Sequence, residues 1–570
     1  MADPVIEHAD AVVVGLGAAG AIMAERLAGA GLRTVGLEKG PDYTQEDFEI
    51  KHDEVRYYQR NAIVAALTKD PVTWRATSDD RAVVAPWSAG PLGVDEPLYG
   101  LPSIGTGGGS IHWGGAAFRF READFRMRST IVERFGEERL PDDTTLVDWP
   151  FGYADLEPYY DMVEWEQGVS GAAGNVGGEL REGGNPFEAP RARDYPMPPL
   201  HQAAADHRFV EACRRLGFHP YPTPSGINSE PYRGRAGCVY CGFCHGFPCH
   251  VGAKSTTQVT SIPAARATGN FEVRPFARAF RVDRDESGRA IGVSYFAGDG
   301  QVREVRAEIV VLACYALENV RLLLASGINE NGQVGRNFMT HSYGWFTSVL
   351  PEATNPFMGP LTAASVIDDF TSELIPDNDA GAVWGAPVLS VTGDLQPIEA
   401  FHIMPPDGPR WGPGLKEWLR DNYTRLHRMY SQTSSFPSPR HYCDLDPVVN
   451  DPFGMPVLRI THDWDEIDVA TVSYLSRIKH RIADEMGVLE RWQDSARPPY
   501  HMSTHDVGVH RLGEDPASSV TDVYGQVHEC AGLYAIGGGQ FPSYGAYNPT
   551  LTIQALAYWC AEHLLDERGA

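Results

Sequence analysis

Residues 11–38 constrain the fold more than any other stretch of this chain. An apolar run, Ala11 to Val14, meets the turn Gly15-Leu16-Gly17-Ala18-Ala19-Gly20, after which Ala19, Met23, Leu27 and Ala30 recur at helical spacing. The pattern predicts strand, glycine turn, helix. Gly15 permits the tight turn, Gly17 lets a pyrophosphate approach the backbone, and Gly20 lets the helix pack closely on the strand. Unpaired N–H groups at the helix start, over Ala18 and Ala19, face the phosphates. A second strand, Arg33 to Leu37, delivers Glu38 at the distance where an acidic side chain accepts hydrogen bonds from a ribose. The unit predicts a Rossmann-like dinucleotide site; by itself it does not separate FAD from NAD.

The chain has 570 residues, more than one hydrophobic core usually serves, so a second domain or a large insertion is expected. A composition with 43% hydrophobic and 22% charged residues is that of a globular protein. The formal net charge of -27 argues against nucleic acid as a partner, since phosphate backbones are bound through Lys and Arg. The opening MADPVIEHADAVVVG has neither a basic n-region nor an apolar h-region, so a cytoplasmic location is the expectation from this chain alone. No window of about 18 apolar residues predicts a membrane span.

Nine cysteines are present, and four of them, Cys238, Cys241, Cys244 and Cys249, fall within twelve residues. Thiolates at intervals of three can converge on one centre, as in the ferredoxin ligand run, and a four-cysteine zinc site fits the same spacing. Both readings stand open on the residues alone.

Further segments resemble the glucose-methanol-choline (GMC) family of flavoenzymes, in the family's order. Gly105-Thr-Gly-Gly-Gly-Ser-Ile-His-Trp-Gly-Gly115 is similar to its second glycine-rich signature, which lies along the flavin. Glu308 to Ala316, followed by Leu322 to Gly327, resembles a later strand and helix, with Cys314-Tyr315 where the family usually has Ala-Gly. His505-Asp-Val-Gly508, Arg511 to Pro516, Leu533 to Gly538 and Tyr544 to Thr552 resemble its C-terminal segments. The resemblance implies FAD, with contacts from Gly107, Gly108, Ser110, His112, Trp113, Gly537, Gly538, Asn548, Pro549 and Thr550 besides the first glycine turn.

It also implies an α/β (α+β overall) architecture: a Rossmann-like FAD-binding domain from residues 1–130, 201–345 and 496–570, including the cysteine segment 238–249. A substrate-binding domain on an antiparallel sheet would come from 131–200 and 346–495. Within the latter, Gly168 to Pro199 is rich in Gly and Pro and reads as an extended arm, not as core.

Oxidising an alcohol by hydride transfer needs a group that takes the hydroxyl proton and a polar contact that fixes the oxygen. His505 and Asn548 match the family's catalytic pair; His510 is a nearby competitor. The Ser-Ile-His-Trp stretch is similar to the segment in which pyranose oxidases carry flavin covalently on a histidine, so His112 is a candidate for that bond or for simple packing beside the ring. The segment ending Cys249-His-Val-Gly-Ala253 is similar to one in bacterial flavoprotein sugar dehydrogenases, which implies an iron–sulfur cluster, 3Fe-4S or 4Fe-4S, on the four cysteines. Cys241 and a longer last gap depart from that pattern, and zinc is the alternative.

The implied enzyme is a dehydrogenase. It would oxidise a sugar, glycoside or polyol and pass electrons to a cytochrome or other carrier, with a small subunit whose signal could take both to the periplasm. Asp148 to Tyr160, similar to a segment of gluconate and sugar dehydrogenases, favours carbohydrate, with Trp113 and Trp411 as candidate stacking surfaces. An oxidase with a structural cysteine loop and, from another class, an NAD-dependent dehydrogenase with structural zinc are the competing functions.

Overall fold

Ala11–Val14 (β1), Thr34–Leu37 (β2) and Ile309–Leu312 are buried at every position, the pattern of strands covered on both faces. In the computed structural model, which describes residues 5–48, 72–75, 83–84, 104–493 and 503–569, they form the middle of a parallel sheet. With Phe271–Arg274 (β3) and Ile309–Leu312 (β4), the order is Leu533–Ala535, β4, β1, β2, β3. Every pairing is parallel. The chain leaves β1 toward β2 on one side and returns through β4 on the other, so the order reverses at β1. A crevice opens there, beyond the strands' carboxyl ends.

The glycine turn fits this crossing. Gly15 has φ +85°, and a Cβ on it would stand 2.5 Å from Cys314 Cα at the end of β4. Gly20 opens helix α1 (Gly20–Gly29), where a Cβ would collide with the Gly15 carbonyl. Ile22, Met23 and Leu27 of α1 are fully buried in the largest core cluster, which also takes Leu551, Leu556 and Leu564 from the last helix, Thr550–Arg568. At about 1.5–3 kcal/mol for each large apolar side chain removed from water, this face holds the helix to the sheet.

A six-stranded antiparallel sheet forms the second layer, ordered Glu490–Gln493, His341–Val349 (β5), Leu426–Ser434 (β6), Val388–Val391, Ser365–Ile367, Tyr221–Pro222. β5 and β6 pair along their whole lengths, with His341 opposite Ser434, Tyr343 opposite Gln432 and Trp345 opposite Tyr430. Strand alternation puts these six side chains on one face. On the other face Phe346 and Met429 pack on Leu475, Ile478 and Ile482 of the helix Glu466–Met486.

Several elements cross the division drawn from sequence. β5 runs through residue 345, Tyr221–Pro222 joins the antiparallel sheet, and Thr73–Arg75 pairs with Pro456–Thr461. Segment resemblance locates motifs, not strand ends, so a cut fell inside a strand. Residues 1–4, 49–71, 76–82 and 85–103 of the first segment, 494–495 of 346–495, and 496–502 and 570 of the last lie outside the described residues.

The arm 168–199 is irregular apart from a hairpin, Asn175–Val176 with Glu179–Leu180. Contrary to the sequence reading, part of it is core. Arg191 is 1% exposed and paired with the buried Glu164, which also accepts from Arg119 at 2.8 Å. A polar anchor of this kind has no hydrophobic periodicity to betray it.

Candidate active site

The crevice is a cleft of about 520 Å³, the size of a cofactor or ligand site. Gly15, Gly17, Ala18, Ala19, Glu38, Gly108 and Ser110 form one part of its lining, and His112 and Trp113 continue it. Gly537, Gly538, His505, Asn548, Pro549 and Thr550 form another. Of the nucleotide-contact candidates, Gly20 and Gly107 stand behind the wall. Gly20 serves helix–strand packing, and Gly107, at φ +96°, starts the tight turn Gly108–Ile111.

The lining has the shape a dinucleotide requires. A Cβ on Gly108 would stand 2.9 Å from Gly17 Cα, so the two glycine segments cross with bare backbones. At Gly109 and Gly537 a Cβ would meet nothing within 4 Å, which leaves backbone groups open to the cleft. Glu38 does more than the sequence implied. Its carboxylate accepts N–H groups from Leu16 (3.2 Å), Gly40 (2.9 Å) and Gly105 (3.0 Å), tying both glycine segments to the end of β2. A carboxylate has about four acceptor positions, so one remains for a ribose hydroxyl.

At the catalytic corner, Asn548 precedes Pro549 at the start of the last helix and accepts from Gln432 Nε2 at 2.9 Å through Oδ1. Its Nδ2 is thereby left as a donor toward the cleft. Burial holds His505 down to about 4, against the opposing charge of Asp506, so the imidazole is neutral at physiological pH. His505 Nδ1 lies 3.1 Å from His341 Nδ1 and 3.3 Å from the Tyr343 hydroxyl. His510 is fully buried outside the cleft, where Asn319 Nδ2 donates to its Nε2 at 3.2 Å. It is a structural histidine.

Several residues here were not singled out from sequence. Tyr343, Trp345, Tyr430 and Gln432 all line the cleft from the β5–β6 face. The alternation of His341-Ser-Tyr-Gly-Trp345 carried that signal, but nothing in it says which face meets a ligand. Tyr315 occupies φ +84°, a conformation that favours glycine, at the position where the family usually has one. Its hydroxyl donates to Asp506 Oδ2 at 2.6 Å, and Asp506 Oδ1 accepts from Thr340 at 2.9 Å, so the loop carrying His505 is clamped on two sides. The two stacking candidates part ways: Trp411 is 84% exposed and outside the cleft, whereas Trp113 lines it, with its indole packed on Gly226, where a Cβ would stand 2.6 Å away.

The cysteine loop abuts the cleft. Gly246 N–H donates to the His112 carbonyl at 2.8 Å, and His245 lines the cleft itself. The Asp394 carboxylate accepts the backbone N–H groups of Cys244 (3.0 Å) and His245 (2.6 Å). Buried Lys254 donates to the carbonyls of Ile111 (3.2 Å), Cys244 (2.6 Å) and Phe247 (2.8 Å), bridging the loop to the second glycine segment. All four thiols are unbridged, and burial pushes Cys238 up to about 11 and raises Cys241 and Cys244 as well. Among the described residues no three His, Cys, Asp or Glu side chains stand close enough together to hold a single metal ion. No described helix is long and apolar enough to cross a membrane.

Residues 149–343 and 437–557 match the GMC oxidoreductase family. The chain is 32% identical to the gluconate 2-dehydrogenase flavoprotein of Pantoea cypripedii over 99% of its own length and 94% of that protein's. It is 29% identical to the 6'''-hydroxyparomomycin C oxidase of Streptomyces lividus over 98% and 93% of the two chains. In fold it is similar to a formate oxidase of Aspergillus oryzae, with a TM-score of 0.63 and 15% identity over 99% of each chain. A Rossmann-type crevice lined by two glycine segments, a neutral histidine and an asparagine, in a chain matched along its whole length, places this protein in the GMC oxidoreductase family, as an FAD-dependent oxidoreductase acting on CH–OH groups.

Proposed function

We propose that the protein oxidises a secondary or primary hydroxyl of a sugar, glycoside or polyol to the carbonyl, with His505 as base and Asn548 holding the oxygen. The observation that carries this is their presence in one cleft with the glycine segments. Bound FAD supplies the hydride acceptor. His505, kept neutral by burial, takes the hydroxyl proton, and Asn548 Nδ2, aimed by Gln432, donates to the oxygen as its charge develops. Tyr343, Trp345 and Tyr430 give the aromatic face against which a sugar ring stacks.

Cys238, Cys241, Cys244 and Cys249 are the residues that would hold an iron–sulfur cluster, and such a cluster supplies a one-electron exit to an external acceptor. The donor chemistry supports it. Four thiols share one loop, and the buried Lys254 Nζ pins that loop through the Cys244 and Phe247 carbonyls. The hydrogen bond from Gly246 of the loop to the His112 carbonyl, and the Lys254 bridge to Ile111, bring the loop beside the flavin segment. A small subunit and a cytochrome-like acceptor follow from this reading.

The deciding experiment is rapid-mixing flavin reduction by substrate in His505→Ala. Retained FAD with reduction slowed on the order of 10³-fold supports the assignment, and near-normal reduction places the base elsewhere. Iron and sulfide in the purified protein support the electron exit, zinc without iron or sulfide ends that route, and peroxide formed without another acceptor supports an oxidase. Acid precipitation separates flavin bonded to His112, which stays with the protein, from flavin that is released.

A further inference from the structure

The cleft histidine is held through a second histidine that does not itself line the cleft. His341 is fully buried, and its Nε2 lies 3.0 Å from the carbonyl oxygen of Gly545. A carbonyl only accepts, so that nitrogen carries a proton. A second proton, on Nδ1, would make His341 a buried cation with Nδ1 facing another histidine nitrogen at 3.1 Å. Burial and the neighbouring imidazole both push the His341 pKa well below its ordinary value, which opposes that state. His341 Nδ1 is then a lone-pair acceptor.

Two groups compete for this lone pair. The Tyr544 hydroxyl lies 3.1 Å from it, but the Tyr544 ring stacks on the imidazole at 4.0 Å and 8°, so the hydroxyl stands over the ring face, off the in-plane lone pair. The His505 ring meets His341 at 83°, edge to face. The 3.1 Å Nδ1–Nδ1 contact is a hydrogen bond, and with His341 Nδ1 as its acceptor the donating proton sits on His505 Nδ1, with the Tyr343 oxygen as a second acceptor at 3.3 Å.

We infer that His341 is a positioning residue that fixes His505 in the Nδ1–H tautomer, leaving His505 Nε2 as the lone pair that receives the substrate proton. The inference rests on His505 being the base. The fold builds the device from one strand pair. His341 and Tyr343 of β5 hold His505, while across the register Ser434 of β6 donates to the same Gly545 carbonyl (2.7 Å) and Gln432 holds Asn548. One sheet face thus sets the tautomer of the base and the direction of the asparagine together.

The test compares His341→Phe and His341→Gln with wild type and His505→Ala, all as FAD-loaded protein. Phe keeps a flat aromatic ring and removes both polar contacts; a glutamine carboxamide supplies an N–H for Gly545 and an oxygen for His505. Flavin reduction at saturating substrate is expected to fall on the order of 10²-fold in His341→Phe, with the visible flavin spectrum unchanged and the substrate concentration for half-maximal reduction within about threefold of wild type. His341→Gln is expected to recover most of the rate.

Nitrogen-15 NMR of histidine-labelled wild type gives a readout independent of turnover. One resonance pair, absent in His505→Ala, should show a protonated Nδ1 and a bare Nε2. A protonated Nε2 there overturns the inference, as does an unchanged rate in His341→Phe or an equal loss in Phe and Gln. Should His505→Ala itself reduce flavin normally, the base assignment fails first, a result distinct from failure of the His341 variants alone.

Discussion

The two parts of the cleft are built from different materials. The nucleotide part is made of absence: Gly15, Gly17, Gly108 and Gly109 present backbone, and the Glu38 carboxylate ties their two segments together. The catalytic corner is made of side chains converging from four separate stretches, Tyr315, β5, β6 and 503–548. Backbone cradles are local in sequence, because a turn needs consecutive residues with particular φ values. Side-chain constellations are not, since strand pairing and loop contacts bring together residues some 90 to 200 positions apart, as in the 340–435 and 341–545 contacts.

The comparison predicts opposite failures, and the largest is at the glycine turn. Gly15→Val puts a side chain at φ +85° into the Cys314 backbone, so the protein should lose essentially all of its flavin, read from the visible spectrum after gel filtration. Gly17→Ala separates the two demands on the turn. Its Cβ would meet only Gly108 Cα, at 3.8 Å, so the fold should survive while FAD affinity falls by about tenfold or more as the pyrophosphate is displaced. Normal flavin content in Gly15→Val would show that the cradle does not depend on that turn.

At the other end, variants should keep flavin and lose rate. Gln432→Leu releases Asn548 Oδ1 and frees the carboxamide to rotate, and flavin reduction should slow on the order of 10–10²-fold with the spectrum intact. Loss of flavin in that variant would erase the distinction between the two parts.

This distinction also explains what the sequence made legible. The glycine turn, Glu38 and the neighbourhoods of His505 and Asn548 were readable, because each is a short run with its own geometry or family signature. The β5–β6 face was not. His341, Tyr343 and Gln432 carry no motif, and only the register that sets Tyr343 opposite Gln432 makes them one surface. Trp411 misled because an aromatic in a Pro-Gly-rich loop looks like a binding residue, whereas here it stands out in solvent. Tyr315 was visible as a departure from the family's glycine but had no stated purpose until its hydroxyl was found on Asp506.

Tyr315→Phe tests that purpose with a smaller effect. It leaves the backbone strain in place and removes one hydrogen bond to a carboxylate, so stability should fall by about 1–3 kcal/mol and flavin reduction by several-fold, with flavin content unchanged. A denaturation midpoint equal to wild type would show that the Tyr315 hydroxyl does not hold Asp506.

The smallest expected effect is a flat line. A histidine base works in its neutral form, so its rate is lost as pH falls through its pKa. Burial sets His505 at about 4, against an ordinary value near 6.5. At pH 5 a group with the lower pKa is still roughly nine-tenths neutral, whereas an unperturbed one would be only about 3% neutral. Between pH 8 and 5 the flavin-reduction rate should therefore change by less than about twofold and fall only below that range. A decline of some thirtyfold by pH 5 would mean that the base is solvated like a free imidazole, and that the side-chain corner does not isolate it as the buried network around His341 requires.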